Sequence, residues 1–416
     1  MTLTRRTLMA GSAALAIAAG GLGTAATAQE EVTLTIANTQ WLDALRGENL
    51  WAAVKTFEES HPNITLEQHT ISRNEFNDRL ITEMGARQGP DVIIAQDGLF
   101  YTLIGADFLI PLDDVTEGVD TLNATNDNGV VDGTRYGIGW HRAVYALIYN
   151  TAILEEAGAE VPTDVDGLIA SAEAASEATG AIGFTGRHSM NEFSPWSKDF
   201  LNWAFGYGAE LVDGDGRITF DTPEMAQAFD AFAAVYGSGI MPIGDQMSTQ
   251  RTRFKEEQVA FSIDNSGGSL NIATGGPLPA EELGAAPLPF PEPGAHQQIF
   301  LGVNTWSSEA EQDASKEFLR WLISEEGQTA LRAASGPDAL ATDVPVTEEF
   351  LAANPWASTF AEMAGESRST LIPGYELETE SILRPLMNGL EKVLLGAATT
   401  EEALDEVQAE IDAEYN

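Results

Sequence analysis

The sequence predicts an α/β protein built on parallel β-sheets with crossover helices. Apolar and polar side chains alternate over residues 32–36, which is typical of a β-strand. Leu50, Val54 and Phe57 then follow at helical spacing, and residues 91–95 contain a short apolar run, from Val92 to Ala95, that indicates a buried strand. Strands separated by helices at this spacing favour a parallel sheet, since parallel neighbours need crossover connections.

The remaining elements of this first unit follow in order. Pro62 ends the first helical segment, residues 64–66 predict a second strand, and Phe76, Leu80 and Met84 form a second helical stripe. In open parallel sheets, ligands collect at the carboxyl ends of the strands. Those ends are residues 38–41 and 96–98, which carry polar and aromatic side chains.

The later elements repeat the alternation of strands and helices. We expect strands at residues 144–149, 259–263 and 299–303, helices within residues 151–178 and 222–236, and a helix through Ala314, Phe318, Trp321 and Leu322. Residues 213–216 predict a hairpin turn, and the Pro-rich residues 274–298 predict a surface loop or an interdomain crossing. Thr399 and Glu402 have the spacing of a capping box for the last helix.

The N-terminus predicts export. Arg5 and Arg6 precede an Ala-, Gly- and Leu-rich stretch that ends in Ala-Thr-Ala at residues 26–28. We expect a signal peptide of the twin-arginine type cleaved after Ala28; an ordinary secretory signal that happens to hold two arginines is the alternative. A free periplasmic protein is the expected product.

Composition excludes several classes of function. The net charge is −43, from 21 Lys and Arg against 64 Asp and Glu, so the surface would repel nucleic acid and anionic lipid. The chain has no Cys, which rules out disulfides, thiolate metal sites and a lipidated Cys anchor. The five His are scattered without metal-ligand spacing. We therefore expect no cofactor and no metal.

Signatures of catalysis are missing from the sequence. We find no Gly-x-Ser-x-Gly elbow, no His-Glu-x-x-His helix and no phosphate-binding loop. Paired carboxylates for glycoside hydrolysis stay possible, but a chain with 64 acidic residues offers such pairs by chance. The sequence therefore favours a binding protein over an enzyme.

Loose patterns spread over nearly the whole chain carry a family resemblance. They lie at residues 89–94 (Gly-Pro-Asp-Val-Ile-Ile), 105–113, 136–139 with 146–150, 254–261 and 314–328. Taken in this order, they resemble the extracellular solute-binding proteins of ABC importers, family 1, the sugar-binding branch that includes maltose-binding protein.

The resemblance implies a two-lobed periplasmic binding protein fold, with parallel-sheet lobes joined by a hinge of three chain crossings near residues 141–145, 290–298 and 323–326. The implied N-terminal lobe is 29–142 plus 296–323, and the C-terminal lobe is 143–295 plus 324–416. A ligand would lie between the lobes, and hinge closure would present a composite surface to membrane permease subunits. We expect a monomer.

Sugar recognition needs aromatic faces for stacking and carboxylates and amides for hydroxyls. Residues of these types at the predicted strand ends and crossings are the candidate ligand contacts: Gln40, Trp41, Asp43, Asp97, Trp140, His141, Arg142, Trp196, Asp264, Asn265, Asn304, Trp306 and Tyr375. Residues 265–268 lack the tryptophan that often occurs there in the family, which favours a small or polar ligand. Arg142 leaves an anionic ligand open, although a salt bridge between lobes is the simpler interpretation.

The sequence therefore predicts a periplasmic substrate-binding protein that captures a mono- or disaccharide or a polyol and delivers it to a permease. A uronate, a polyamine, a phosphorylated polyol or another small polar solute is the alternative within this class. An exported carbohydrate-active enzyme is the alternative from another class, and turnover of glycosides would distinguish it.

Overall fold

The computed structural model describes residues 31–416, apart from the side chains of Ala44, Leu45 and Asn74. The predicted signal peptide and its cleavage site lie outside the described residues. The strands are β1 Val32–Asn38, β2 Ile64–His69, β3 Val92–Gln96, β4 Val130–Val131, β5 Thr134–Arg135, β6 Ile138–Asn150, β7 Ile182–Thr185, β8 Val259–Asn265, β9 Leu283–Ala286, β10 Ala295–Val303 and β11 Arg368–Ser369.

The α-helices surround these strands. They are α1 Ala44–Lys55, α2 Phe57–Ser60, α3 Phe76–Gly85, α4 Asp97–Gly105, α5 Asp113–Thr116, α6 Thr151–Ala157, α7 Val165–Thr179, α8 Phe193–Gly206, α9 Pro223–Gly237, α10 Met247–Lys255, α11 Ser266–Thr274, α12 Glu309–Leu322, α13 Glu325–Ser335, α14 Glu348–Ala353, α15 Ala357–Met363, α16 Thr379–Leu394 and α17 Thr400–Glu414. Short 3-10 helices lie at Thr39–Leu42, Arg73–Glu75, Ala124–Gly129 and Met190–Glu192.

One mixed sheet runs through the molecule in the order β2-β1-β3-β10-β6-β8-β7, with β9 beside β6 and β11 beside β10. Pairing is parallel towards both ends, where β1 lies between β2 and β3 and where β7 joins β8. It is antiparallel in the middle, where β10 and β6 lie. The parallel α/β character predicted from the strand–helix alternation is confirmed for the sheet ends.

Strand β6 connects the two halves of this sheet. Its residues from Ile138 to Val144 pair with β10, and those from Tyr145 to Tyr149 pair with β8. The sequence predicted only the second part as a strand, because Gly137 and Gly139 lower strand propensity locally. Gly139 is needed there because a Cβ would lie 2.7 Å from the Thr125 carbonyl oxygen.

Each half of the sheet is covered on both faces by apolar residues. In the first half Ile36 and Ile94 face one core, whereas Ala37 and Ile93 face the other. In the second half the alternation continues along β6, where Leu147 and its neighbours at odd positions face a core distinct from that of the even positions. Burial on both faces is typical of doubly wound α/β sheets.

The C-terminal helices return to both halves. Leu331 and Ala334 of α13 belong to a core of the first half, whereas Ile382 of α16 and Leu404 of α17 belong to the second. The capping box predicted for Thr399 and Glu402 is confirmed. We propose that the third crossing falls after α13, later than residues 323–326, because α13 packs on α1.

Candidate functional site

A cavity of about 730 Å³ lies between the two halves of the sheet, within the range of roughly 300–1,000 Å³ that small-molecule sites occupy. We call it the cleft. Its walls are formed at the carboxyl ends of β1 and β3, by β6 and β10 on the floor, and by α8, α10 and α11 opposite. The lining amides are Asn38, Gln40, Asn77, Gln96, Asn191, Asn265, Asn271 and Gln297, and the lining aromatic rings are Phe76, His141, Tyr145 and Phe193.

Four residues singled out from the sequence line the cleft. Gln40 and Asp43 follow β1 in the 3-10 turn and at the start of α1, His141 lies on β6, and Asn265 ends β8. Asn265 is also the N-cap of α11, because its side-chain oxygen accepts a hydrogen bond from Gly268 N at 2.8 Å. Side chains at strand ends were predicted to gather at one edge of the sheet, and Gln40, Asp43 and Asn265 lie there.

Two tryptophans predicted to contact ligand lie behind the cleft wall. Trp41 folds under its own loop, where its indole N–H donates to Ile36 O at 2.9 Å. Trp140 is buried and donates to Gln40 Oε1 at 2.9 Å. Neither ring lines the cleft, because both rings pack into the apolar core on this side of the sheet. Trp140 acts on the cleft by orienting Gln40.

Two predicted carboxylates, Asp97 and Asp264, are buried in ion pairs. Asp97 Oδ1 lies 2.6 Å from Lys198 Nζ, and Lys198 lines the cleft. Burial alone would raise the pKa of Asp97, but Lys198 and the backbone N–H groups of Gly98 and Gln298 together hold that pKa below its ordinary value. Neither carboxylate lines the cleft, so both position cations that do.

Asp264 belongs to a buried network with two arginines. It accepts from Arg251 Nε and Nη2, both at 2.7 Å, and from Arg187 Nη2 at 3.3 Å. Burial would raise the pKa of Asp264, but the two guanidiniums lower it to about 2. Asp199 lies 2.6 Å from Arg187 Nη1, and burial, with the charge of Asp264, raises its pKa to about 6.

Arg142 and Trp196 lie away from the cleft, although the sequence placed both near it. Arg142 neighbours His141 on β6, so its side chain points to the opposite face and donates to Ala364 O at 2.8 Å. Trp196 is fully buried on α8, where it packs against Phe232. We leave both out of the ligand-contacting set proposed below.

The last three sequence candidates also lie elsewhere. Asn304 is buried, and its side-chain oxygen accepts a hydrogen bond from Trp306 N. Trp306 is 41% exposed, and the Arg87 guanidinium lies over its ring. Tyr375 packs beside a core of the second half of the sheet, and its hydroxyl donates to Gly216 O at 3.2 Å. All three lie outside the cleft, and the late strand β10 lines it with Gln297 and Ile299 instead.

A second buried cluster joins the two sides of the cleft. Asp338 is fully buried and accepts from Arg46 Nη2 of α1 at 2.9 Å and from the Ser266 hydroxyl of α11. His141 Nδ1 lies 3.5 Å from the same carboxylate. Burial lowers the pKa of His141 to about 4, against the attraction of Asp338, so this imidazole is neutral at pH 7. The cluster ties α1 to the first turn of α11.

Sequence reasoning missed the cations of the cleft. Arg46, Arg73, Arg187, Lys198, Arg251 and Lys255 all line it. The signal that could have found them is their scarcity, since the chain has only 21 Lys and Arg.

Within residues 31–416, no group of three or more His, Cys, Asp or Glu suits a metal ion. The same stretch contains no helix with the length and hydropathy of a membrane span.

Comparison with known proteins places this architecture. Diacetylchitobiose binding protein DasA of Streptomyces coelicolor is 25% identical over 358 residues, covering 82% of this chain and 80% of the relative. A mannitol-binding protein of Pseudomonas aeruginosa is 24% identical over 423 residues, covering 94% of both chains.

Solved structures share the fold. The GacH receptor of Streptomyces glaucescens superposes with a TM-score of 0.79 at 20% identity, covering 93% of this chain and all of the receptor. Maltose-bound T. maritima MalE3 superposes with a TM-score of 0.78 at 21% identity, covering 92% and 99%. The fold is thus that of the two-lobed, MalE-like periplasmic binding proteins. The family model for bacterial extracellular solute-binding proteins matches residues 43–329, more than half of the sequence, and the chain belongs to that family.

Proposed function

We propose that this chain is the substrate-capturing subunit of an ABC importer and that its ligand is a sugar or a polyol. The observation that carries the proposal is the cleft, whose lining combines amides from both halves of the sheet with aromatic rings. Amides and carboxylates satisfy hydroxyl groups, and ring faces cover the C–H faces of a sugar. Relatives whose names specify diacetylchitobiose and mannitol support the same class.

The ligand-contacting set that we propose joins residues from both walls. It consists of Gln40, Asp43, Gln96, His141, Tyr145, Phe193, Asn265, Asn271 and Gln297. The absence of Trp from this lining favours a small, densely hydroxylated ligand over a long oligosaccharide. A polyamine is disfavoured, because six cations line the same cavity.

Closure of the lobes is the proposed signal to the permease. β6 and β10 run along the cleft floor, so bending of these strands would rotate one lobe against the other. A ligand held by both lobes favours the closed form by its differential affinity for that form. Release of the unchanged ligand, rather than turnover, is expected, which separates this function from that of a carbohydrate-active enzyme.

Export as a monomer to the periplasm completes the proposal. The family is extracellular, and residues 1–28 have the pattern of a twin-arginine signal. The acidic surface, with a chain net charge of −43, argues against nucleic acid as a partner.

A thermal-shift screen of sugars, polyols and polyamines tests the function. A ligand at 100 times its Kd adds about 2.7 kcal/mol to the folded state. Replacing Gln297, which lines the cleft, by Ala should weaken binding by up to roughly tenfold, the value of one neutral hydrogen bond. Gln258→Ala, an exposed site outside the cleft, is the matched control. Chromatographic recovery of a cleaved ligand, or stabilisation by polyamines alone, would contradict the proposal.

A further inference from the structure

Positive charge is concentrated in the cleft of an otherwise acidic protein. Six of the 21 Lys and Arg in the sequence line this single cavity, although the chain as a whole carries a net charge of −43. Burying or half-burying cations costs solvation energy. Their placement around a ligand cavity therefore calls for a negative partner.

Protein carboxylates satisfy five of these six cations. Arg46 pairs with Asp338, Lys198 with Asp97, Arg73 with Asp43, and Arg187 and Arg251 with Asp264. Lys255, at the end of α10, has no carboxylate within ion-pair distance among residues 31–416. It is half-buried, and burial, together with the charge of Arg251, lowers its pKa.

The first turn of α11 adds hydrogen-bond donors beside Arg46 and Arg251. Asn265 caps only Gly268 N, so the N–H of Gly267 has no partner within the helix. Gly267 lines the cleft, and a Cβ on it would lie 2.7 Å from Arg46 Nη1. Arg46 is 8% exposed and its Nε has no hydrogen-bond partner. The positive end of this helix and a buried guanidinium therefore meet at one place.

Four carboxylates also line the cleft and would oppose an anion there. Asp43 faces Lys255 across the cleft but pairs with Arg73 at 3.3 Å. Asp199 pairs with Arg187, and Glu192 accepts from Met247 N at 2.8 Å. Asp78 is exposed on α3, on the opposite wall. Glu192 lies at the N-terminal end of α10, opposite to Lys255, and Asp43 is already paired with Arg73, so the end of the cleft at Lys255 keeps its positive character.

We propose that the ligand is an acidic sugar, a sugar or sugar-derived chain bearing a carboxylate, whose acidic group binds at the α10–α11 end of the cleft. Lys255 and the Asn271 side chain are the donors for that carboxylate. The free edge of the Arg251 guanidinium and the Gly267 N–H lie nearer the N-terminal end of α11, where they face the rest of the ligand. The hydroxyl groups lie towards Gln40 and Gln297. This inference rests on the proposed function, since it specifies the ligand class of the same site.

Titration calorimetry with matched pairs tests the inference. The pairs are glucuronate with glucose, galacturonate with galactose, and gluconate with sorbitol. Glucose 6-phosphate, also compared with glucose, tests a phosphate in place of the carboxylate. We expect the acid of at least one pair to bind about 10- to 100-fold more tightly than its neutral partner, the value of a charge-assisted hydrogen bond. Added salt should weaken binding of the acid and leave binding of its neutral partner unchanged.

Two variants locate the acidic group. Lys255→Gln should remove most of the preference for the acid, whereas Lys392→Gln, the same charge change on the surface of α16, should not. Asn271→Asp preserves the shape of the side chain and adds a negative charge in the cleft. It should weaken binding of the acid more than binding of its neutral partner. Both sites are partly exposed, so folding is expected to survive.

Each result is decisive. Equal or tighter binding of the neutral sugars overturns the acidic ligand and keeps the proposed function, and a preference for the phosphate over every carboxylate overturns the assignment of a carboxylate. An unchanged preference in both Lys255→Gln and Asn271→Asp overturns its location. Binding of no sugar, polyol or sugar acid overturns the proposed function itself.

Discussion

Removing the Asp338 carboxylate should strongly destabilise the folded protein. Asp338 is fully buried and is the ion-pair partner of Arg46, which is only 8% exposed. Asp338→Ala leaves that guanidinium buried without a counter-ion, which costs about 3–5 kcal/mol. Ser266→Ala removes one hydrogen bond to the same carboxylate but leaves the ion pair, so it should cost only about 1 kcal/mol.

Urea unfolding followed by circular dichroism measures both variants. The free energy of unfolding should fall in the order wild type, Ser266→Ala, Asp338→Ala, with similar m-values. Replacing Arg46 and Asp338 together by apolar residues should recover part of the loss, because the uncompensated charge disappears. If Asp338→Ala lay within about 1 kcal/mol of wild type, the buried charge would be solvated and the reasoning refuted.

The remaining predictions concern the cleft wall and pH. Gly268→Ala would place a Cβ 2.6 Å from Asp264 Cγ, so it should cost about 1–3 kcal/mol and weaken ligand binding. Trp140→Phe keeps an aromatic ring but removes the hydrogen bond to Gln40 Oε1 and leaves a void where the larger indole packs, which should lower stability by about 2–3 kcal/mol and weaken binding. Burial, with the charge of Arg142, lowers the pKa of His296 from 6.5 to about 4, so unfolding takes up a proton between these values. Stability should therefore fall as pH falls through that window, and His296→Asn should remove about 3 kcal/mol of this dependence.

Each of these three variants has its own control or contrary outcome. Gly365→Ala meets no atom within 4 Å and should unfold like wild type; equal behaviour of Gly268→Ala would show that α11 adjusts freely. An unchanged Kd in Trp140→Phe would show that Gln40 needs no orientation by the indole. A melting temperature with the same pH dependence in His296→Asn and wild type would show that His296 is not held neutral.

Much of the fold follows from periodicity in the sequence. β1, β2, β3 and the helices between them lie where alternation and helical stripes place them, because each is short and buries one face or both. The full length of β6 did not follow, since its first half owes its pairing to β10, more than 150 residues away. The packing of α13 against α1 is likewise a long-range contact with no local pattern.

The candidate site, like the fold, was predicted only in part. Gln40, Asp43, His141 and Asn265 were predicted because strand ends and crossings gather at one edge of a sheet. Trp41 and Trp140 illustrate the limit, because the sequence does not tell whether a large aromatic ring faces the ligand or the core. The cations went unnoticed since their ion-pair partners are distant in sequence, as Arg46 and Asp338 show.

A crystal structure of the complex with the tightest ligand from the screen tests the central claim most directly. The account predicts ligand density inside the cleft, touching Gln40 from one wall and Asn265 or Asn271 from the other. It also predicts that the two lobes are at least as close as in the present structure. Density outside the cleft, or contacts with one wall only, would contradict capture between the lobes.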